Sequence, residues 1–395
     1  MFSTKATISL AAIAVTAVAL AGCSTGGSSE KGGDAKVPSE ITIGYSTPLT
    51  GNSAFGGANA APGIDLALED LKKLIPETTI KVEQYDDASD ANQGVTAVQH
   101  FASDPSIPVI VGGVTSQVAA AAVPVAQRSG IPYVIVNSFT PGLTDAGDEI
   151  FQISAPTADY NINEALQAAK AHDLKTVSII YAQDVPTTVG FRDDFLAGFK
   201  KAGVEVVADE AASVNDADFT TVIRNAMAPK PDAVVLLFIG PIDGTITKQM
   251  LELGYDPIRL GHVGDVSQGY IDNAGGHGPG VIVNTGFFDG ADLPVVQDFT
   301  KRVVAKTGNG VPGTQTPNAY AAMMVVGHAI RNLIDSGQEI NRDTIKKAML
   351  ELGEMPSVLG STGTAKFGGD TGRVLIYDGF LLTLTDDAKW VEWKP

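Results

Sequence analysis

The feature that most constrains this chain is the regular alternation of short apolar runs with longer amphipathic stretches. Runs such as Pro108–Gly112 and Ala233–Phe238 consist mainly of Val, Ile and Leu and are too short for typical helices. Continuous apolar strands separated by helices are typical of parallel sheets that are covered on both faces. The sequence therefore predicts an α/β protein with two doubly wound, Rossmann-like lobes.

The predicted strands fall into two successive sets. They are Ile41–Thr47, Thr79–Tyr85, Pro108–Gly112 and Ile131–Val136 in the first set, and Thr176–Tyr181, Val204–Glu210, Ala233–Phe238 and Val281–Gly286 in the second. Three long helices follow, and then strand segments at Thr362–Phe367 and Val374–Leu384. Because these strands are too few for a third domain, we expect the late helices to pack on the first unit.

The chain would then cross between the lobes more than once and form a multi-strand hinge. About 355 residues follow the N-terminal region, too many for one hydrophobic core. The predicted domains are 40–154 with 287–365 for lobe 1, and 155–286 with 366–395 for lobe 2.

The N-terminus has the features of a bacterial export signal over residues 1–22. Lys5 precedes a short uncharged apolar core, which ends in small residues. The segment Leu20–Cys23 resembles a lipobox, and this implies lipid attachment to Cys23 and anchoring to the outer face of the cell membrane. The alternative is an ordinary signal peptide with an incidental cysteine. The polar, Gly- and Ser-rich segment 23–39 is predicted to be a flexible tether.

Composition excludes several classes of function. The formal net charge of −18 argues against nucleic acid and anionic lipid surfaces as partners. The five histidines are far apart, and Cys23 is the single cysteine, so neither a zinc motif nor an internal disulfide is expected. The sequence contains no GxSxG elbow or HExxH pair. We expect no metal, no cofactor and no catalysis.

The order of several short motifs resembles the type I periplasmic binding proteins, in particular the leucine/isoleucine/valine-type receptors of ABC transporters. The matching segments are Ile43–Gly51, Phe55–Gly56, Gly63, Tyr85–Asp87, Gly112–Ser116, Ile131–Pro132 and Asn137–Thr144. The resemblance extends over about residues 40–390. It implies two lobes that close over a small solute, which an ABC permease then receives.

Two turns are the leading candidates for the ligand site. In open parallel sheets, ligands bind beyond the carboxyl ends of the strands. Thr115 and Ser116 follow such a strand and begin a helix, whose free N–H groups suit a carboxylate. Asn137, Ser138 and Phe139 follow the next strand in the same way. The resemblance implies that these turns hold the ligand's carboxylate and ammonium groups, whereas a simple helix N-cap is the alternative for Thr115 and Ser116.

The remaining candidates rest on the resemblance. It implies that Phe55 forms an aromatic wall, with a buried core position as the alternative, and that the loops after Tyr181, Phe238 and Gly261 close over the ligand from the second lobe. The sequence departs from the family pattern at two places. Val189 stands where many relatives have an aromatic residue, and Val263 aligns with the acidic residue expected to pair with an ammonium group.

Asp265 and Asp184 are the alternative partners for the ammonium group, and a solvated loop carboxylate is the other interpretation of each. We predict a monomeric, extracytoplasmic solute-binding protein for an amino acid of the branched-chain type or a relative of it. A sensor that presents the same ligand state to a signalling partner is one alternative. A lipid-anchored hydrolase is the other.

Overall fold

The computed structural model of the protein describes residues 37–154, 157–308 and 310–394. The predicted leader 1–22, Cys23 and most of the predicted tether 23–39 lie outside the described residues. A search of the described part finds no helix with both the length and the apolar character needed to cross a membrane.

The strands, in chain order, form two separate sheets. They are β1 (Glu40–Thr47), β2 (Thr79–Asp86), β3 (Ile110–Gly112), β4 (Tyr133–Ile135), β5 (Ile150–Gln152), β6 (Thr176–Ala182), β7 (Glu205–Ala212), β8 (Ala233–Leu237), β9 (Ile258–Leu260), β10 (Ile282–Thr285), β11 (Met355–Pro356), β12 (Thr364–Gly368), β13 (Val374–Ile376), β14 (Phe380–Leu384) and β15 (Trp390–Glu392). The first sheet has the order β11-β12-β13-β5-β4-β3-β1-β2, and the second has β15-β14-β10-β9-β8-β6-β7.

The helices cover the sheets. They are α1 (Ala54–Leu74), α2 (Ala91–Ser103), α3 (Ser116–Ser129), α4 (Thr157–His172), α5 (Pro186–Ala202), α6 (Thr220–Met227), α7 (Gly240–Glu252), α8 (Gln268–Ala274), α9 (Pro294–Thr307), α10 (Gln315–Asp335) and α11 (Arg342–Leu350). Short 3-10 helices lie at Leu143–Ala146 and Val263–Asp265. Strands β1–β5 pair in parallel, as do β6–β10. The predicted fold class, two doubly wound α/β lobes, is confirmed.

Helices α9 to α11 pack on the first lobe. Phe299 of α9 and Val326 of α10 share one buried cluster with Ile43 of β1. The contact between α1 and α10 brings the two backbones together, because a Cβ on Gly63 would lie 2.1 Å from the carbonyl oxygen of Thr316. The start of α10 is thereby fixed beside the carboxyl ends of the first-lobe strands.

The last strands divide differently from the prediction. β12 pairs with β13, and Val374 of β13 lies opposite Gln152 of β5, so residues 366–376 belong to the first sheet rather than to lobe 2. β14 pairs with β10 in the second sheet. The predicted strand Val374–Leu384 is therefore two strands, and the third crossing lies at 377–379 instead of at 365/366. Tyr377 packs into the first-lobe core, and a Cβ on Gly379 would lie 2.8 Å from the Tyr160 ring.

Candidate functional site

The first predicted turn leaves an unpaired hydroxyl at the start of α3. Gly113 takes φ +65°, so the chain leaves β3 through a sharp turn. Thr115 occupies the N-cap position of α3 in an extended conformation, but its side chain makes no cap hydrogen bond. Its Oγ1 atom is buried and has no hydrogen-bond partner among the described residues. Because the first N–H groups of a helix lack intrahelical partners, this turn presents several donors together.

The second predicted turn lies beside the first, because β3 and β4 are neighbours in the sheet. The Ser138 hydroxyl donates to Ser116 Oγ at 3.1 Å and so links the two turns. The backbone of Ser138 is held by Gln152 and Ser154, since its carbonyl accepts from Gln152 Nε2 at 2.8 Å and from Ser154 Oγ. The structure thus brings Thr115, Ser116 and Ser138 together on a rigid support.

Asn137 connects this pair of turns to α10. Its Oδ1 atom accepts from Asn318 Nδ2 at 2.8 Å and from Thr314 Oγ1 at 3.2 Å. Asn137 is buried, and so is Asn318. The predicted site residue is therefore part of the wall, held by residues that follow it by about 180 positions in the sequence.

A small pocket of about 20 Å³ lies between the two lobes and next to these turns. Its lining residues come from both lobes and from the crossings: Phe139, Tyr160, Val263, Asn284, Gly286, Phe287, Thr314, Pro317, Asn318, Leu359 and Tyr377. Phe139 comes from the first lobe and Val263 from the second. A volume of this size holds about one water molecule, so the pocket must widen to admit an amino acid.

Phe55 lies near the first turn and is not a core residue. It is the second residue of α1, and 63% of its surface is exposed. A Cβ on the neighbouring Gly56 would lie 3.4 Å from Val114 Cγ1, in ordinary contact. The buried alternative is thus wrong, and an exposed ring remains available beside the turn. Its contact with ligand stays a prediction.

Two predicted contacts do not point at the pocket. Phe238 is fully buried in the second-lobe core and packs edge-on against Phe219, with the ring centroids 5.3 Å apart. Asp184 is exposed and accepts from Ser213 Oγ at 2.6 Å and from the Val214 N–H at 3.2 Å. The Ser213 hydrogen bond lowers the pKa of Asp184. Asp184 therefore supports its own loop, and Phe238 supports the core.

Asp265 is also turned away, into a buried cluster behind the loop after β9. It is fully buried, and its Oδ2 accepts from the backbone N–H of His262 at 3.1 Å. The His262 Nε2 atom lies 3.9 Å from Asp265 Oδ1 and 3.4 Å from Asp243 Oδ2. Burial, together with the nearby charge of Asp243, raises the pKa of Asp265 well above its ordinary range.

This cluster is poorly arranged for a metal ion. Ligating atoms of Asp243, His262 and Asp265 all lie within 4.8 Å of one another. However, the Gly264 N–H donates to His262 Nδ1 at 3.1 Å. The imidazole proton must then be on Nε2, the nitrogen that faces both carboxyl groups, whereas a metal ligand needs a free lone pair there. The cluster thus fixes the position of the loop that carries Val263.

A larger cavity of about 780 Å³ lies on the other side of the hinge tyrosines. Tyr160 and Tyr377 line both cavities, and Tyr160 Oη donates to the Tyr377 carbonyl at 3.0 Å. The larger cavity has four exposed carboxylates, Asp145, Asp159, Asp370 and Asp378, and includes none of the predicted ligand contacts. The smaller pocket instead includes Phe139 of the second predicted turn, and Thr314 and Asn318 of its lining bond to Asn137 of the same turn.

The sequence analysis did not predict that the start of α10 and the crossings between the lobes contribute side chains to the pocket. Thr314, Pro317 and Asn318 line the pocket, as do Phe287 and Leu359. The available signal was the polar segment Thr314–Asn318, which precedes an apolar helical stretch and contains Pro317.

Comparisons with known proteins agree with this geometry. The sequence model of the family described as periplasmic binding protein matches residues 40–389. The chain is similar to the Leu/Ile/Val-binding protein BraC3 of Rhizobium johnstonii, with 26% identity over 343 residues, covering 85% of this chain and 90% of the relative.

Two solved structures share the fold. An ABC transporter substrate-binding protein from Sphaerobacter thermophilus has a TM-score of 0.79 at 20% identity, covering 89% of this chain and 96% of that one. A solute binding protein of an ABC transporter from Rhodopseudomonas palustris, in complex with 3,4-dihydroxy benzoic acid, has a TM-score of 0.74 at 20% identity, covering 90% and 97%.

Proposed function

Because this chain belongs to the periplasmic binding protein family, we propose that it captures a small carboxylate-bearing solute between its lobes and delivers it to an ABC permease. Family membership makes it an extracytoplasmic solute-binding protein rather than an enzyme. The observation that carries the proposal is the meeting of side chains from both lobes, Phe139 and Val263, at one pocket beside the ends of β3 and β4. A ligand in this position contacts both lobes at once.

Binding in such a cleft works through lobe closure. The ligand first meets the donors of the first lobe, the Thr115 and Ser116 hydroxyls and the start of α3. Rotation about the three crossings then brings Val263 over it and excludes water, which strengthens the hydrogen bonds. The ligand shifts the balance between open and closed forms only by its difference in affinity for the two.

The relatives suggest the first solutes to test. The name of the Rhizobium relative gives leucine, isoleucine and valine, whereas the Rhodopseudomonas structure holds an aromatic acid. These compounds share a carboxylate and differ in the rest of the molecule. The carboxylate is therefore the group that we assign to the turns at Thr115 and Ser138.

We further propose that lipid on Cys23 holds the protein at the outer face of the membrane. The single cysteine of the chain occupies the lipobox position, after Leu20-Ala21-Gly22. Acyl chains add about 0.8 kcal/mol for each buried CH₂, and two chains give stable anchoring. In cells, the Cys23→Ser variant should leave the membrane fraction and lose incorporation of labelled fatty acid. Retention of the label by this variant would refute the anchor.

The binding proposal is tested by calorimetry of the purified chain against amino acids and aromatic acids. X-ray scattering of the same samples should show a smaller radius of gyration with the ligand that binds. If no small carboxylate binds, or if binding leaves the radius unchanged, capture by lobe closure is wrong.

A further inference from the structure

The pocket between the lobes has an uncharged wall. Five of its side chains are apolar or aromatic: Phe139, Val263, Phe287, Pro317 and Leu359. Its other side chains are amides, a threonine hydroxyl and two tyrosines, so the lining, taken over the described residues, includes no carboxylate and no basic group. An ammonium group enclosed here would lose its water without gaining a countercharge, which is strongly unfavourable.

The polar side chains of this wall are engaged in holding the wall itself. Asn284 Nδ2 donates to Asn161 Oδ1 at 2.9 Å and to Glu164 Oε2 at 2.6 Å. On the opposite side, Asn318 Nδ2 donates to Asn137 Oδ1. These contacts use the amide NH₂ groups within the wall, and neutral amide oxygens do not compensate a buried positive charge as a carboxylate does.

Of the described second-lobe carboxyl groups, that of Glu164 contacts this wall through Asn284, but it is fully buried and is not part of the lining. Asp265 and Asp184 point elsewhere. Asp265 follows Val263 by two residues, but it is fully buried and bonded to the His262 backbone. Asp184 accepts from Ser213 and Val214 at the surface. A branched apolar side chain, Val263, is what the loop after β9 presents to the pocket.

The donors lie at the other end of the site. The Thr115 hydroxyl is buried and has no partner within the described ranges, and the Ser116 and Ser138 hydroxyls lie 3.1 Å apart at the start of α3. A ligand that fits both ends is negative at one end and uncharged at the other. This charge pattern differs from that of a zwitterionic amino acid.

We propose that the preferred ligand is a monocarboxylate with an uncharged, apolar body, either branched aliphatic or aromatic, and without an ammonium group. This inference rests on the proposed function, because it assumes that the ligand binds between the turns and the Val263 wall. The carboxylate accepts from the Thr115 and Ser116 region, and the apolar body lies against Val263, Phe139 and Phe287.

The test uses matched pairs that differ only in the ammonium group. Isocaproate is compared with leucine, and hydrocinnamate with phenylalanine, by calorimetry of the full chain purified in mild detergent. We expect the acid without the ammonium group to bind at least about tenfold more tightly in one or both pairs. Equal or tighter binding of the amino acids in both pairs overturns the inference while leaving the proposed function intact. Binding of no carboxylate at all refutes the proposed function itself.

A second experiment tests the wall directly, with substitutions at Val263. Val263→Glu places a carboxylate on the half-buried position that faces the pocket, and Val263→Gln is the uncharged control of the same size. We expect Val263→Glu to shift the ratio of leucine to isocaproate affinity toward leucine by about tenfold, whereas Val263→Gln leaves it nearly unchanged. An equal ratio in the two variants would show that position 263 does not determine the ligand charge, and the inference would fail.

Discussion

Replacing Thr115 with valine should stabilise the ligand-free protein and weaken ligand binding. The Thr115 Oγ1 atom is buried and has no partner in the described part of the chain, and the side chain does not cap α3. Valine has the same shape but exchanges the hydroxyl for a methyl group. The substitution therefore removes an unsatisfied polar atom from the ligand-free protein and a donor from the complex.

The two effects have opposite signs and separable magnitudes. An unsatisfied buried hydroxyl costs about 1–3 kcal/mol, so the free energy of unfolding without ligand should rise by about 1 kcal/mol or more. A hydrogen bond to a charged group contributes about 1.5–3 kcal/mol, which corresponds to a loss of about tenfold to 150-fold in affinity for a carboxylate. A purely structural threonine would give the first effect without the second.

Urea denaturation of the ligand-free chain measures the stability, and calorimetry with the best carboxylate measures the affinity. Thr300→Val is the matched control, because Thr300 Oγ1 on α9 is also buried and unpaired in the described structure. The control should raise stability by a similar amount and leave the affinity unchanged. Unchanged affinity in Thr115→Val, or a loss of stability in the ligand-free state, would refute the assignment of this hydroxyl to the ligand.

Three further changes test the site and the fold. Ser116→Ala should weaken carboxylate binding by about 1–3 kcal/mol in calorimetry, and equal affinity would remove Ser116 from the site. Burial raises the pKa of Glu164 well above 4.5. As the pH rises, the unfolded state therefore loses its proton before the folded state does. The free energy of unfolding should fall between the unfolded-state pKa and the folded-state pKa. Glu164→Gln should reduce the fall in Tm as the pH rises above the unfolded-state pKa, and an unchanged slope would contradict this. Gly63→Ala should destabilise the protein by about 1–3 kcal/mol in urea denaturation, because its Cβ would meet the Thr316 carbonyl. The control, Gly190→Ala, lies in open space on α5 and should stabilise the protein slightly. A smaller loss of stability for Gly63→Ala than for Gly190→Ala would count against the close contact of α1 and α10.

The fold class was readable from the sequence because strands buried on both faces must be apolar at every position. The position of the third crossing was not readable in this way. Asp378-Gly379 signals a turn within the apolar segment Val374–Leu384, but pairing with β5 on one side and β10 on the other decides which sheet each half joins. Those partners lie about 100 or more positions away, so a local pattern does not contain this information.

The site was readable where it follows from sheet topology. Thr115 and Ser138 come together because β3 and β4 are adjacent parallel strands, and adjacent strand ends meet at one edge. The structure turns Phe238 and Asp265 away from the pocket, because the direction of a side chain just beyond a strand depends on the local turn. Phe238 turns into the core, and Asp265 turns inward from the 3-10 helix that exposes Val263.

The split of the final strands between the two sheets also sets the order in which the molecule can be completed. Strands β11 to β13 extend the first sheet beyond β5, and β14 and β15 extend the second beyond β10. A growing polypeptide that has reached only residue 350 therefore has an open edge on both sheets, and open edges favour wrong pairing. Both sheets therefore become complete only after strands β11 to β15 have joined them.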